Sequence, residues 1–88
     1  MDLKNKKILI IIGGGISAYK SLDFIRLLRK NGSKIKTILT KSGKQFVTPL
    51  SITSLTNSKP YEDIFDVNNE SGMDHISLSR WADIILVV

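Results

Sequence analysis

Three groups of residues in this chain have the types and spacing for chemistry. The first is Gly13-Gly14-Gly15, which ends the apolar run Ile8-Leu9-Ile10-Ile11-Ile12 and precedes Ile16-Ser17-Ala18-Tyr19-Lys20. Glycine lets a backbone turn tightly and approach a ligand, and the free N–H groups of a first helical turn point at an anion. The pattern suits the phosphate corner of a nucleotide- or flavin-binding α/β domain. It matches neither G-x-G-x-x-G nor a P-loop, and a purely structural glycine turn accounts for the same residues. The second group is Thr40-Lys41-Ser42, whose two hydroxyls and ammonium suit phosphate or ribityl oxygens; a plain polar turn has the same composition. The third is His75, the single histidine, in Gly72-Met73-Asp74-His75-Ile76. With a reference pKa of about 6.5, a histidine can serve as base or anion partner near neutrality. A lone histidine is more often structural or superficial, but this one follows a glycine loop and precedes the last apolar run.

Composition removes several other chemistries. There is no cysteine among the 88 residues, which excludes a disulfide scaffold and a cysteine nucleophile from this sequence. One histidine and scattered carboxylates form no ligand cluster, so no metal site is expected. No apolar run approaches the roughly 20 residues needed to cross a bilayer, so no membrane partner is expected and the cytoplasm is the expected compartment. The net charge of +5 is uneven, with nearly all the basic residues before Pro60 and most of the acids after it. Such a half can meet an anionic ligand or nucleic acid, or can be a solvated lysine-rich face. No aromatic residues interleave with the lysines, so no nucleic-acid partner is expected.

The elements that must position these residues follow from periodicity. Lys7 to Ile12 reads as a strand covered on both faces. Ser17 to Lys30 reads as a helix with Ala18, Leu22, Ile25 and Leu28 toward a sheet, cations in its last turns and Gly32 as its stop. Lys34 to Leu39 alternates as a second strand, and Thr40 to Gln45 is a polar turn. Thr48-Pro49 is an N-cap followed by proline at the first helical position, opening a helix to about Leu55 that buries Leu50 and Leu55. Pro60 to Phe65 holds a short extended piece, 68–72 is loop, Ile76 to Ala82 is a short helical turn with Trp81 as a core anchor, and Ile84 to Val88 is a strand. The order β-α-β-α-(β)-β with right-handed crossovers predicts a parallel sheet with helices on both faces. In such sheets a ligand crevice lies outside the carboxyl ends of the strands. The sequence reaches only the end of the last strand there, so it is expected to be part of a longer domain.

The residues Gly14-Gly15-Ile16-Ser17-Ala18-Tyr19-Lys20, Thr40-Lys41-Ser42 with Phe46, Thr48-Pro49-Leu50-Ser51, and His75-Ile76-Ser77-Leu78 with Trp81-Ala82-Asp83 occur in that order. Together they resemble the N-terminal part of the flavin-dependent cysteine decarboxylases, in particular the branch acting on phosphopantothenoylcysteine in coenzyme A synthesis. The resemblance spans essentially all of residues 1–88. It implies an α/β, Rossmann-like FMN-binding domain of which this chain is the first half. It implies cofactor contacts from Gly14, Gly15, Ile16, Thr40, Lys41 and Ser42, with Phe46 close to the flavin and His75 as the catalytic residue. The implied reaction is FMN-dependent oxidation of the terminal cysteine of phosphopantothenoylcysteine with loss of carbon dioxide, giving 4′-phosphopantetheine. The implied assembly is a homo-oligomer, a trimer or larger.

The chain departs from the family at Gly13, where serine is usual, and at Ile11, where glycine is frequent. The family's Asn-Thr cofactor loop, Pro-x-Met-Asn substrate motif and cysteine-bearing flap have no counterpart in these 88 residues. The related flavin prenyltransferases share the fold but usually lack Ala-Tyr-Lys after the glycines. A non-catalytic flavin-binding or regulatory protein is the remaining alternative.

Overall fold

In the computed structural model, the described residues are 4–15, 17–62 and 75–88, with the side chains of His75 and Ile76 excluded. Strand β1 (Lys7–Ile12) is the central strand of a three-stranded sheet in the order β2-β1-β3, with β2 at Lys34–Leu39 and β3 at Ile84–Val87. Both pairings are parallel, with Ile8 opposite Ile35 and Ile84, and Ile12 opposite Leu39. A central parallel strand is buried on both faces, which is why β1 carries consecutive isoleucines and leucine rather than an alternating pattern.

The period of two along β1 divides the core. Ile8, Ile10 and Ile12 face one layer, with Ala18, Ile25 and Leu28 of helix α1 (Ser17–Lys30) and Ile52 of helix α2 (Pro49–Thr56). Leu9 faces the other layer, with Ile38 of β2 and Leu78 of helix α3 (His75–Trp81). Helices therefore cover both faces of a parallel sheet, as the crossover rule requires, and the architecture is α/β and Rossmann-like.

Local chemistry sets the element ends. Helix α1 closes through Gly32, at φ +85°, while the Ser33 N–H reaches back to the Leu28 carbonyl at 3.1 Å. This is the left-handed C-terminal closure that glycine makes inexpensive. Helix α2 opens with the Thr48 hydroxyl accepting from the Ser51 N–H at 3.0 Å and Pro49 behind it. It closes on Asn57, at φ +60°. At the start of β3, Asp83 accepts from the Lys7 N–H at 2.9 Å, tying the last strand to the first.

Two expectations from the sequence are corrected. Leu50 is 75% exposed, and Ile52 is the buried apolar residue of α2, with Leu55 partly buried beside it. The α2 face toward α1 and the sheet carries Ile52, Leu55 and Thr56, and Leu50 lies about 200° round the helix from Ile52. Trp81 is not in either core cluster; Leu78 anchors α3, and Trp81 lies partly exposed with the Lys36 ammonium 4.9 Å from its ring centroid. Within the described part of the 60–65 segment, Tyr61 pairs in parallel with Ile38 as an isolated bridge on the outer edge of β2. The rest of that segment and the loop expected at 68–72 lie outside the described residues.

Candidate functional site

The carboxyl end of β1 runs directly into the glycine corner. The Gly13 N–H donates to the Val88 carbonyl at 3.1 Å, and the Val88 N–H donates to the Ile11 carbonyl at 2.9 Å, so β3 holds the corner from one side. Gly15 has φ +120°, a conformation that side chains rarely adopt. Its carbonyl accepts from the Ala18 N–H at 3.0 Å and starts α1. Among the described residues, the N–H groups of Gly14 and Gly15 have no hydrogen-bond partner. Two unpaired donors at the entry to a 14-residue helix form an anion-accepting corner.

A second loop closes on the same corner from the β2 side. The Thr40 N–H and the Thr40 hydroxyl both donate to the Ile12 carbonyl, at 3.1 and 3.0 Å. The same hydroxyl accepts from the Gly43 N–H at 3.1 Å. Thr40 thus latches the loop to the last residue of β1, and its one hydroxyl hydrogen is committed there. Ser42 and Lys41 are exposed, and neither side chain has a hydrogen bond or ion pair among the described residues. The loops are in contact at their tips. A Cβ on Gly14 would stand 2.7 Å from the Ser42 Cβ, closer than real atoms approach. Gly14 and Ser42, 28 positions apart in the sequence, therefore share one small surface.

Gly43 is a residue of the candidate site that sequence reasoning passed over. A Cβ there would lie 2.6 Å from the Ile12 carbonyl oxygen and 3.0 Å from Leu39 Cδ1. Only glycine lets the single 3₁₀ turn Gly43–Gln45 nest against the end of β1. The available signal was a glycine directly after Thr40-Lys41-Ser42 at a strand end. An aromatic pair was also missed. Phe46, packed at the margin of the core, meets Tyr19 edge to face, with centroids 5.9 Å apart and planes at 86°. Tyr19 is 55% exposed and stands on the first turn of α1 beside the corner. Nearby, Lys44 forms an ion pair with Glu62.

Ile16 lies outside the described residues. His75 is the first residue of α3, whose other end, at Trp81, reaches the Lys36 side chain near the start of β2. Six residues of helical rise, about 9 Å, carry the chain from Trp81 back to His75, toward the carboxyl ends of the strands. The backbone of His75 is thus on the glycine-corner side of the sheet. Among the described residues no three of His, Cys, Asp and Glu come together, and no helix is long and apolar enough to cross a membrane.

The family profile described as Flavoprotein matches residues 1–88. The chain belongs to the flavoprotein family. Among its relatives is the coenzyme A biosynthesis bifunctional protein CoaBC of Vibrio vulnificus strain YJ016, 40% identical over 85 residues, covering 97% of this chain and 21% of that protein. The CoaBC protein of Haemophilus influenzae is 39% identical over 87 residues, covering 99% of this chain and 22% of that one. Two solved structures share the fold. MrsD from Bacillus sp. HIL-Y85/54728 superposes with a TM-score of 0.77 at 25% identity, covering 98% of this chain and 48% of MrsD. SpaF, an FMN-dependent cysteine decarboxylase, gives a TM-score of 0.78 at 21% identity, covering 100% of this chain and 50% of SpaF. The flavoprotein chain spans about one fifth of the curated relatives it matches and about half of each of these two structures. The family's flavin cofactor is the ligand class to set beside the unpaired donors of the glycine corner.

Proposed function

We propose that this chain supplies the phosphate-holding corner and the catalytic histidine of an FMN-dependent decarboxylase acting on phosphopantothenoylcysteine in coenzyme A synthesis. The observation that carries the reading is the convergence of Gly14 and Ser42, which brings unpaired backbone donors and a free hydroxyl together at the carboxyl ends of β1 and β2. The naming of the relatives for coenzyme A biosynthesis supports the pathway. The FMN dependence of SpaF, which shares the fold, supports the choice of FMN.

Each residue has a distinct task in this reading. The N–H groups of Gly14 and Gly15 and the Ser42 hydroxyl donate to phosphate oxygens, with the Lys41 ammonium adding charge. Thr40 acts through the loop it latches. Phe46, braced by Tyr19, offers an apolar wall to the ring system. The redox chemistry comes from FMN when it is bound. His75 holds or moves a proton at the substrate's cysteine end.

The test is a chimera in which this chain replaces the matching 85 residues of the Vibrio vulnificus relative. Titrated with FMN and with riboflavin, which lacks the phosphate, the chimera is expected to bind FMN at least about tenfold more tightly, as charge-assisted hydrogen bonds to a phosphate warrant. Equal affinity for the two flavins removes the phosphate role from this corner.

The same reading includes self-association. Ile85 and Val87 of β3 are exposed, on the face that α3 leaves open, and Val87 is 77% exposed. Exposed apolar strand surface favours association. Sedimentation velocity on the chain is expected to show a trimer or larger species, and a sharp monomer boundary at micromolar concentration contradicts it.

A further inference from the structure

Ser17 is the first residue of α1 and lies exposed beside the glycine corner. Every other hydroxyl of α1 and α2 is satisfied on its own helix or cap. Ser21 donates to the Ala18 carbonyl, Ser51 to Thr48, Thr53 to Pro49, Ser54 to Leu50 and Thr56 to Ile52. Each bond reaches three or four positions back, the common arrangement for serine and threonine within a helix. No helical turn precedes Ser17. The residues three and four positions before it are Gly14 and Gly13, in the corner itself. Among the described residues, the Ser17 hydroxyl has no hydrogen-bond partner.

The glycines show where this hydroxyl stands. A Cβ on Gly15 would lie 4.0 Å from the Ser17 Oγ. Apart from the chain neighbours of Gly15, no other described atom comes within 4 Å of that point. A Cβ on Gly14 would instead meet the Ser42 Cβ, at 2.7 Å. The missing side chains of two successive glycines therefore open toward two different serines. Adjacent Cα atoms are about 3.8 Å apart, so both serines stand beside one peptide unit. The Ser42 hydroxyl is likewise without a partner among the described residues, and the Gly14 and Gly15 N–H groups are unpaired there. Open space over Gly15, bordered by a free hydroxyl, suits an oxygen atom that accepts from both.

We propose that Ser17 is a further phosphate-binding residue, its hydroxyl donating to the same group as Gly14, Gly15 and Ser42. This role rests on the corner being the FMN phosphate site. A phosphate presents three strong acceptor oxygens. Two backbone N–H groups and one hydroxyl leave lone pairs over, and a second hydroxyl from a different element takes one up. The side chain is short and rides on the first turn, where the positive end of the helix already favours an anion. A carboxylate at this position would suit the helix end equally well but would repel a phosphate, so the two roles of the position can be separated by experiment.

FMN and riboflavin are titrated into the chimera and its variants, with flavin fluorescence quenching as the readout. Ser17→Ala is expected to weaken FMN binding roughly tenfold or more, the usual worth of a hydrogen bond to a charged group, and to leave riboflavin within about twofold. Ser17→Thr keeps the hydroxyl and is expected to restore most of the FMN affinity. Ser17→Asp is expected to hold or raise the thermal melting temperature of the flavin-free protein, since an acid in the first turn stabilises a helix, while FMN affinity falls further than in Ser17→Ala. Unchanged FMN affinity in Ser17→Ala or in Ser17→Asp overturns the proposal. An equal loss of FMN and riboflavin also overturns it, because that pattern marks a disturbed helix and not a lost phosphate contact. If the unmodified chimera already binds the two flavins equally, the phosphate site itself falls before any variant at position 17 is made, and Ser17 has no phosphate to hold.

Discussion

Gly14→Ala in the chimera is expected to weaken FMN binding by roughly 5- to 150-fold while leaving the fold in place. The added methyl group would start 2.7 Å from the Ser42 Cβ. A Cβ cannot rotate away from its own backbone, so relief requires the two loops to separate. Overpacking of this kind costs about 1–3 kcal/mol, and the expected loss of affinity is that cost converted at 1.4 kcal/mol per tenfold. The cost falls on the site because both loops are exposed at their tips, whereas β1 and α1 are fixed by the core beneath. The effect is also coupled. Ser42→Gly removes the opposing Cβ together with a proposed phosphate donor. If the loops collide as described, the double variant loses less affinity than the sum of the two single losses. FMN fluorescence quenching measures all three. Full affinity in Gly14→Ala would show that the corner tolerates separation and that the ligand does not sit across the contact.

The parts of this fold that were legible in the sequence are those governed by one uninterrupted local rule. Strand β1, helix α1 and strand β2 have the expected bounds because each is a single periodicity ended by glycine or a polar turn. Helix α2 starts where Thr48-Pro49 says it should, because the cap is a bond between neighbours in sequence. Leu50 shows where local rules stop. An eight-residue helix has enough apolar positions to suggest burial, but which of them faces α1 is decided by the crossover geometry. Trp81 is similar, since Leu78 takes the place against β1 and leaves the larger ring to Lys36.

The candidate site was legible as two separate loops, because a parallel sheet puts every strand's carboxyl end on one side. Their contact was not legible. It depends on Thr40 reaching the Ile12 carbonyl, 28 positions away, and on Gly43 having no side chain where that carbonyl lies. The need for glycine at position 43 comes from the Ile12 carbonyl on the neighbouring strand, so its place after Thr40-Lys41-Ser42 marks a turn but not the contact that requires it.

His75→Asn in the same chimera is expected to lower decarboxylation per bound FMN by about 10²- to 10⁴-fold, the usual cost of losing a general acid–base group. FMN content is expected to stay near that of the unmodified chimera. The reason is a division of labour across the crevice. In the proposed arrangement the phosphate end is held by Gly14, Gly15 and Ser42, on the β1 and β2 loops, and none of these residues is near His75 in sequence. His75 opens α3, a helix that packs through Leu78 on the opposite face of the sheet from α1. Its replacement therefore leaves the corner and its latch untouched. Asparagine keeps a hydrogen-bonding side chain of similar reach but cannot titrate near neutral pH, so it separates proton transfer from simple contact. A histidine that only packs predicts the reverse pattern: stability and flavin content fall together, and the turnover of each remaining flavin is unchanged. Carbon dioxide released per bound FMN, measured beside thermal melting, distinguishes the two, and normal turnover per flavin would take His75 out of the reaction.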